Sequence, residues 1–183
     1  LIATAVAVPV ALIVGLALGN AVDQPDTAPS SGVAVLPPVT VTPPPNPGSA
    51  TTSTCAQVIS ALPLVLDGKN LRRTVSTPPT GLVQAWGDPP IVMRCGVAKP
   101  PELNPSNTTG YLQLNGVLTL VTSQGDNQVY TVVDRSVFIE LDVPHEYASA
   151  PVPPVMNAIR KVLPNPVCVN EDPAHPQHQC TRR

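Results

Sequence analysis

YLQLNGVLTLVTSQGDNQVYTVVDRSVFIELDV, residues 111–143, decides the fold. Within it, Asn115-Gly116 sits between alternating apolar and polar residues, the strongest short-range signal for a β-hairpin. Gly125-Asp126-Asn127 marks a second turn and Asp134-Arg135-Ser136 a third. The spacing predicts strands over 111–114, 117–122, 129–133 and 137–143. In the last of these, Val137, Ile139, Leu141 and Val143 point one way and Phe138, Glu140 and Asp142 the other. That is the period of a half-buried antiparallel strand. The window Asn107 to Val143 also lacks proline altogether, in a chain where proline is 25 of 183 residues against a typical usage of roughly 5%. It is therefore the expected seat of the sheet.

Upstream, Gly81–Trp86 and Ile91–Val97 read as short strands around the turn Gly87-Asp88-Pro89-Pro90. Further upstream, Val58, Ile59, Leu62, Val65 and Leu66 have helical spacing within 55–66, with Ser53 or Thr54 as cap and a bend at Pro63. Asp67-Gly68-Lys69-Asn70 then reads as helix stop and turn. Downstream, Val155, Met156, Ile159, Val162 and Leu163 form one stripe over 151–163, with Pro153 and Pro154 suited to a first turn. Helix, antiparallel strands and helix predict an α+β fold, a two-layer sandwich of an antiparallel sheet with two helices, over residues 55–164. These residues carry eight acidic and eight basic side chains.

Outside this unit the chain changes character. LIATAVAVPVALIVGLALG, residues 1–19, has no charge, and as a helix would be roughly 28 Å long, close to the hydrocarbon thickness of a bilayer. A cleaved secretory signal is the rival reading. Ala3, Ala7, Ala11, Gly15 and Gly19 recur every fourth residue, a stripe of small side chains that lets another helix approach closely. That favours a retained transmembrane helix or signal anchor over 1–22, packed against a membrane partner. Residues 23–54 are rich in Pro, Thr and Ser and uncharged from Thr27 onward. They predict an extended linker reaching on the order of 90 Å. Residues 165–183 form a tail.

Four cysteines behind a membrane-targeting segment point to an oxidising compartment. Of the three possible pairings, Cys55–Cys95 in the domain and Cys168–Cys180 in the tail close loops that do not cross. Cys168, His175, His178 and Cys180 also contain metal-ligand chemistry, but the spacing of the last two is unlike a zinc site. No metal and no cofactor is expected.

A net charge of −2 lacks the cationic footprint of a nucleic-acid binder. No GxSxG, HExxH or phosphate-loop pattern is present. His145-Glu146 reads as an exposed loop, and Glu140 with Asp142 as a solvated strand face rather than a glycosidase pair. Lys69, Arg72 and Arg73 make a small basic patch suited to solvent, anionic lipid or wall polymer. The densest cluster, Trp86 to Val97, offers Trp86, Asp88 and Arg94, with Arg135 from the later loop, as candidate ligand or partner contacts. Arg94 pairing with Asp88 is the bland alternative.

CAQVISALPLVLDGKNLRR (55–73), AWGDPPIVMRCGV (85–97) and VYTVVDRSVFIELDVP (129–144) together resemble an uncharacterised actinobacterial, especially mycobacterial, envelope-protein family, a 3515-like domain of unknown function. The resemblance implies an N-terminal membrane segment before the domain and no known activity. The chain has Leu118-Thr119-Leu120 where many members carry a tryptophan, and its tail cysteine loop is less typical. The expectation is a single-pass plasma-membrane protein with its domain on the extracytoplasmic (periplasmic) side. Its role would be a non-catalytic accessory subunit or assembly factor of a membrane complex, with an integral membrane protein as partner. The alternative is a cell-envelope enzyme or small-ligand-binding domain using the Trp86–Arg94 turn region.

Overall fold

The structure, a computed structural model, describes residues 36–45, 47–76, 81–104, 106–107 and 109–164. The apolar run over 1–22 with its small-residue stripe, the linker as far as 35, and the tail with Cys168 and Cys180 lie outside the described residues. Among the described residues no helix is long and apolar enough to cross a membrane.

The fold is mixed α and β. Helix α1 (Ser49–Ala61) leads into β1 (Val65–Leu66), β2 (Asn70–Arg73), β3 (Val83–Trp86) and β4 (Ile91–Cys95). Then follow β5 (Tyr111–Leu114), β6 (Val117–Gln124), β7 (Asn127–Val132), β8 (Ile139–Pro144), a short 3-10 turn at His145–Tyr147, and α2 (Val152–Val162). The eight strands form one sheet in the order β1-β2-β3-β4-β8-β7-β6-β5. All neighbours are antiparallel. Two four-stranded meanders thus lie side by side, joined where β4 meets β8.

The proline-free window holds only the second meander. The first lies in the proline-bearing stretch before it, because Pro89 and Pro90 occupy the turn between β3 and β4 and leave the ladder intact. β1 and β2 arise where a helix stop was expected. Asp67 and Gly68 both have positive φ, 50° and 67°, and turn the chain into a hairpin with Leu66 opposite Asn70. α1 is also displaced, starting six residues before Cys55. Thr52 and Thr54 hydroxyls bond back to the carbonyls of Gly48 and Ala50, so the threonine-rich stretch is accommodated as helix. Leu62 is extended, ψ 145°, the conformation that the following Pro63 favours, and the helix ends there instead of bending.

Sheet alternation sorts the core. Ile91, Met93 and Cys95 on β4 face the same way as Ile139, Leu141 and Val143 on β8, and all are buried. They share one hydrophobic cluster with Cys55 and Val58 of α1 and with Val152, Val155, Met156 and Ile159 of α2. Each fully buried side chain of this kind contributes roughly 1.5–3 kcal/mol. The Cys55–Cys95 disulfide, Cα–Cα 5.6 Å, ties α1 to β4 inside that cluster, as the loop argument expects.

On the opposite face a smaller cluster of Leu103, Leu120 and Val133 is packed by Tyr111, Leu118 and Phe138. The turn carrying Leu103 is held by Asn104, whose Oδ1 accepts from the backbone N–H of Ser106 and Asn107, each at 3.1 Å. Part of the sequence-defined linker also lies on the domain. Val39 forms a parallel bridge with Val75, donating to Thr74 O at 2.9 Å and accepting from Ser76 N at 3.0 Å. Val41, two residues on, is buried.

Candidate functional site

The β3–β4 turn carries the densest set of singled-out residues. Trp86 ends β3 on the helix side of the sheet, with no exposed surface, and its indole N–H donates to Pro63 O at 2.9 Å. The ring therefore closes the α1–β1 connection and is a core group. Gly87 follows with φ 67°, and a Cβ there would come 2.9 Å from Tyr147 Oη and 3.0 Å from Asn70 Oδ1. Its amide donates to Leu71 O at 3.0 Å. The Asp88–Pro89 peptide bond is cis, and the Tyr147 hydroxyl donates to Pro89 O at 2.8 Å. Burial pushes the Tyr147 hydroxyl above its ordinary pKa, with Glu146 adding to the effect.

Asp88 is exposed and its partner is Arg73. Arg73 Nη1 donates to Gly87 O at 3.0 Å and reaches Asp88 Oδ1 at 3.4 Å, while Nη2 donates to Pro37 O. The neighbouring Arg72 points to the other face, as strand alternation requires. Its Nη2 donates to Leu62 O at 2.9 Å and Ile59 O at 3.3 Å, the carbonyls at the C-terminal end of α1. Burial lowers its pKa. Arg72 and Arg73 are therefore structural ties and not the solvent-facing basic patch that their adjacency suggests.

Arg94 does not pair with Asp88. It stands opposite Glu140 in the β4–β8 register, and its Nε donates to Glu140 Oε1 at 3.1 Å, with Nη2 on the same oxygen. Beside this pair, Asp142 accepts from Asn127 Nδ2 at 2.8 Å. Desolvation raises the Asp142 pKa, and Glu140 adds to the rise; the Asn127 bond and Arg94 oppose it. This face is half-buried and internally paired, unlike the solvated face expected of Glu140 and Asp142.

Arg135 is 3% exposed, in the loop between β7 and β8. It contacts Asp134 Oδ2 at 2.6 Å and donates through Nη2 to Gly116 O at 2.7 Å, pinning the β5–β6 turn. Trp86, Asp88, Arg94 and Arg135 are thus distributed over the core, an exposed turn, the opposite sheet face and a separate loop. The structure does not bring the four onto one surface. Around the β3–β4 turn it assembles Asn70, Arg73, Gly87, Asp88 and Tyr147. Of these, Asp88 is the one that the sequence offers as a contact of the Trp86–Arg94 turn region; Asn70 and Arg73 are carried there by β2 and Tyr147 by the 3-10 turn, distant along the chain. Asn70, 8% exposed, has a buried Nδ2 with no partner.

Chemically, this assembly offers hydrogen-bond donors and one exposed carboxylate. Among the described residues no group of three His, Cys, Asp or Glu side chains is placed to hold a metal ion. His145 and Glu146 are exposed in the 3-10 turn.

No curated protein and no solved structure matches the chain. One family model does, over residues 6–167, which takes in most of the apolar N-terminal run and the whole described domain: the chain belongs to the family described as Protein of unknown function (DUF3515).

Proposed function

We propose that this protein is a membrane-anchored, extracytoplasmic accessory protein of an actinobacterial envelope, a non-catalytic subunit or assembly factor of a membrane complex. The observation that carries the reading is the way the charged side chains of the domain are used. Arg72 is spent on the end of α1, Arg73 on the β3–β4 turn, Arg94 on Glu140, and Arg135 on Asp134 and Gly116. Trp86 is buried. Catalysis asks for convergent groups with unmet bonding capacity; of those singled out from sequence, Trp86, Arg94 and Arg135 are committed to holding the fold, and Asp88 is an exposed carboxylate with no second acid, base or nucleophile of that set beside it.

Two features support the location. The uncharged run Leu1–Gly19 has bilayer length and a stripe of small residues. The Cys55–Cys95 disulfide suits an oxidising compartment. On this reading the 1–22 segment is a single-pass helix in the plasma membrane, the following residues lead outward, and a membrane-embedded partner meets the small-residue stripe. The test is solubilisation of native membranes in mild detergent, affinity capture of the full chain and identification of what co-purifies. A stoichiometric integral membrane partner, lost on Gly15→Leu and Gly19→Leu substitution, is expected. A chain recovered only as a free species refutes the reading.

A further inference from the structure

The two edges of the sheet are built differently. At the β1 side, β1 is only two residues long, and the strand end beyond it is covered by Val39 and its proline-flanked neighbours. Short strands, prolines and covering segments are devices that prevent edge-to-edge pairing. The other edge, β5, has no proline or charge, its residues being Tyr111, Leu112, Gln113 and Leu114, and among the described residues no segment covers it. Beyond β5, the end of β6 (Thr122, Ser123 and Gln124) is equally uncharged.

Which backbone groups β5 offers follows from its turn. Asn115 and Gly116 have φ 50° and 79°, so the two-residue loop flanks a hydrogen-bonded pair, Leu114 and Val117. Alternation makes Leu112 and Thr119 the next hydrogen-bonded pair, and Gly110 O accepts from Val121 N at 2.7 Å, in phase. The N–H and C=O groups of Tyr111 and Gln113 therefore point away from β6. Among the described residues no backbone group meets them. Between them sits Leu112, 50% exposed, one of the few large apolar side chains left in solvent.

We infer that the outer edge of β5 pairs with β5 of a second copy of this chain, antiparallel, about a two-fold axis at Leu112. In that register Tyr111 of each copy exchanges both backbone hydrogen bonds with Gln113 of the other. The two Leu112 residues then form the non-hydrogen-bonded pair, whose side chains lie closest. The arrangement is self-complementary, as a closed dimer requires. It places no like charges opposite one another, which would be destabilising. Charged strands suit a partner of opposite sign; a wholly uncharged edge with one central leucine suits its own copy. A contact of this length buries less than the roughly 1,000 Å² of a stable soluble interface, so the dimer dissociates on dilution and forms where chains are concentrated. This inference is independent of the membrane reading above.

The test uses the full chain bearing Leu112→Cys, exposed to a mild oxidant at high protein concentration, with peptide mapping to separate this linkage from those of Cys168 and Cys180. A peptide joining position 112 to position 112 is expected, with several-fold less dimer from Gln124→Cys, which lies along the same edge of the sheet but off the axis and on the opposite face. In parallel, co-capture of two differently tagged wild-type copies should be lost on Leu112→Lys, a substitution at an exposed site that leaves the emission of buried Trp86 unchanged. Absence of the 112–112 peptide, equal linkage at 124, or linkage of 112 only to a different polypeptide would each overturn the inference.

Discussion

Arg72→Met should destabilise the domain by about 2 kcal/mol, and the loss should start at the end of α1. The wild-type guanidinium supplies two bonds at the end of the helix, 2.9 Å to Leu62 O just past the last helical residue and 3.3 Å to Ile59 O, which also accepts the Leu62 N–H. Hydrogen bonds from a charged donor contribute about 1.5–3 kcal/mol, and a cation at a helix C-terminus about 0.3–1 kcal/mol more. Against this stands desolvation. Burial lowers the Arg72 pKa, and its Nε is buried without a partner, so methionine removes a cost as well as a benefit while keeping much of the stem. The longer 3.3 Å bond is weak, which leaves a net loss near the middle of the range for one charged bond. For a domain of this size that lowers Tm by roughly 8 °C. Urea unfolding followed by the emission of Trp86, the one tryptophan in the chain, gives the free energy. Amide exchange gives its location, with faster exchange concentrated in α1. A change smaller than about 0.5 kcal/mol, the ordinary effect of a surface substitution, would refute the assignment of Arg72 as the tie that closes α1. So would exchange accelerated evenly over the sheet.

Replacing Cys55 and Cys95 by serine opens a loop of 40 residues, for which chain entropy predicts a loss of about 4 kcal/mol; urea unfolding with and without reductant should show wild type converging on the variant when reduced. Gly87→Ala should cost about 2 kcal/mol or more, from positive φ and from the 2.9 Å approach to Tyr147 Oη, and less in a Tyr147→Phe background; strictly additive effects in that double-mutant cycle would show that the hydroxyl is not the obstacle. Asp142 has a folded pKa raised by burial, so the native state binds its proton more tightly than the unfolded chain does. Stability should therefore fall as pH rises from about 4 through the raised value, and Asp142→Asn should flatten that part of the profile in a pH series of urea melts while keeping an acceptor for Asn127.

The parts of the fold legible in the sequence are those whose signal is local. β8 shows its alternation from Val137 to Val143, Asn115-Gly116 announces its hairpin, and α2 carries a stripe that needs only helical periodicity. β1 has two residues and no period to detect, so its hairpin with β2 was hidden behind a helix-stop signal. The charged residues fail for a related reason. Arg94 is six residues from Asp88 in the chain and 46 from Glu140, yet the register of β4 with β8 places it on the latter. Arg73, 15 residues from Asp88, wins that carboxylate because β2 lies beside β3. Adjacency likewise made Arg72 and Arg73 look like one patch, although strand alternation sends them to opposite faces. The partners of Arg94 and of Asp88 thus trace to the same missing quantity, the order of strands across the sheet, and that order also decides what a partner can meet. A sheet that joins β4 to β8 at its centre consumes its polar side chains internally and leaves β1 and β5 as its edges. Among the described residues one edge is shortened and strapped and the other is uncovered and uncharged, which favours β5 over β1 as the edge inferred above to meet another chain.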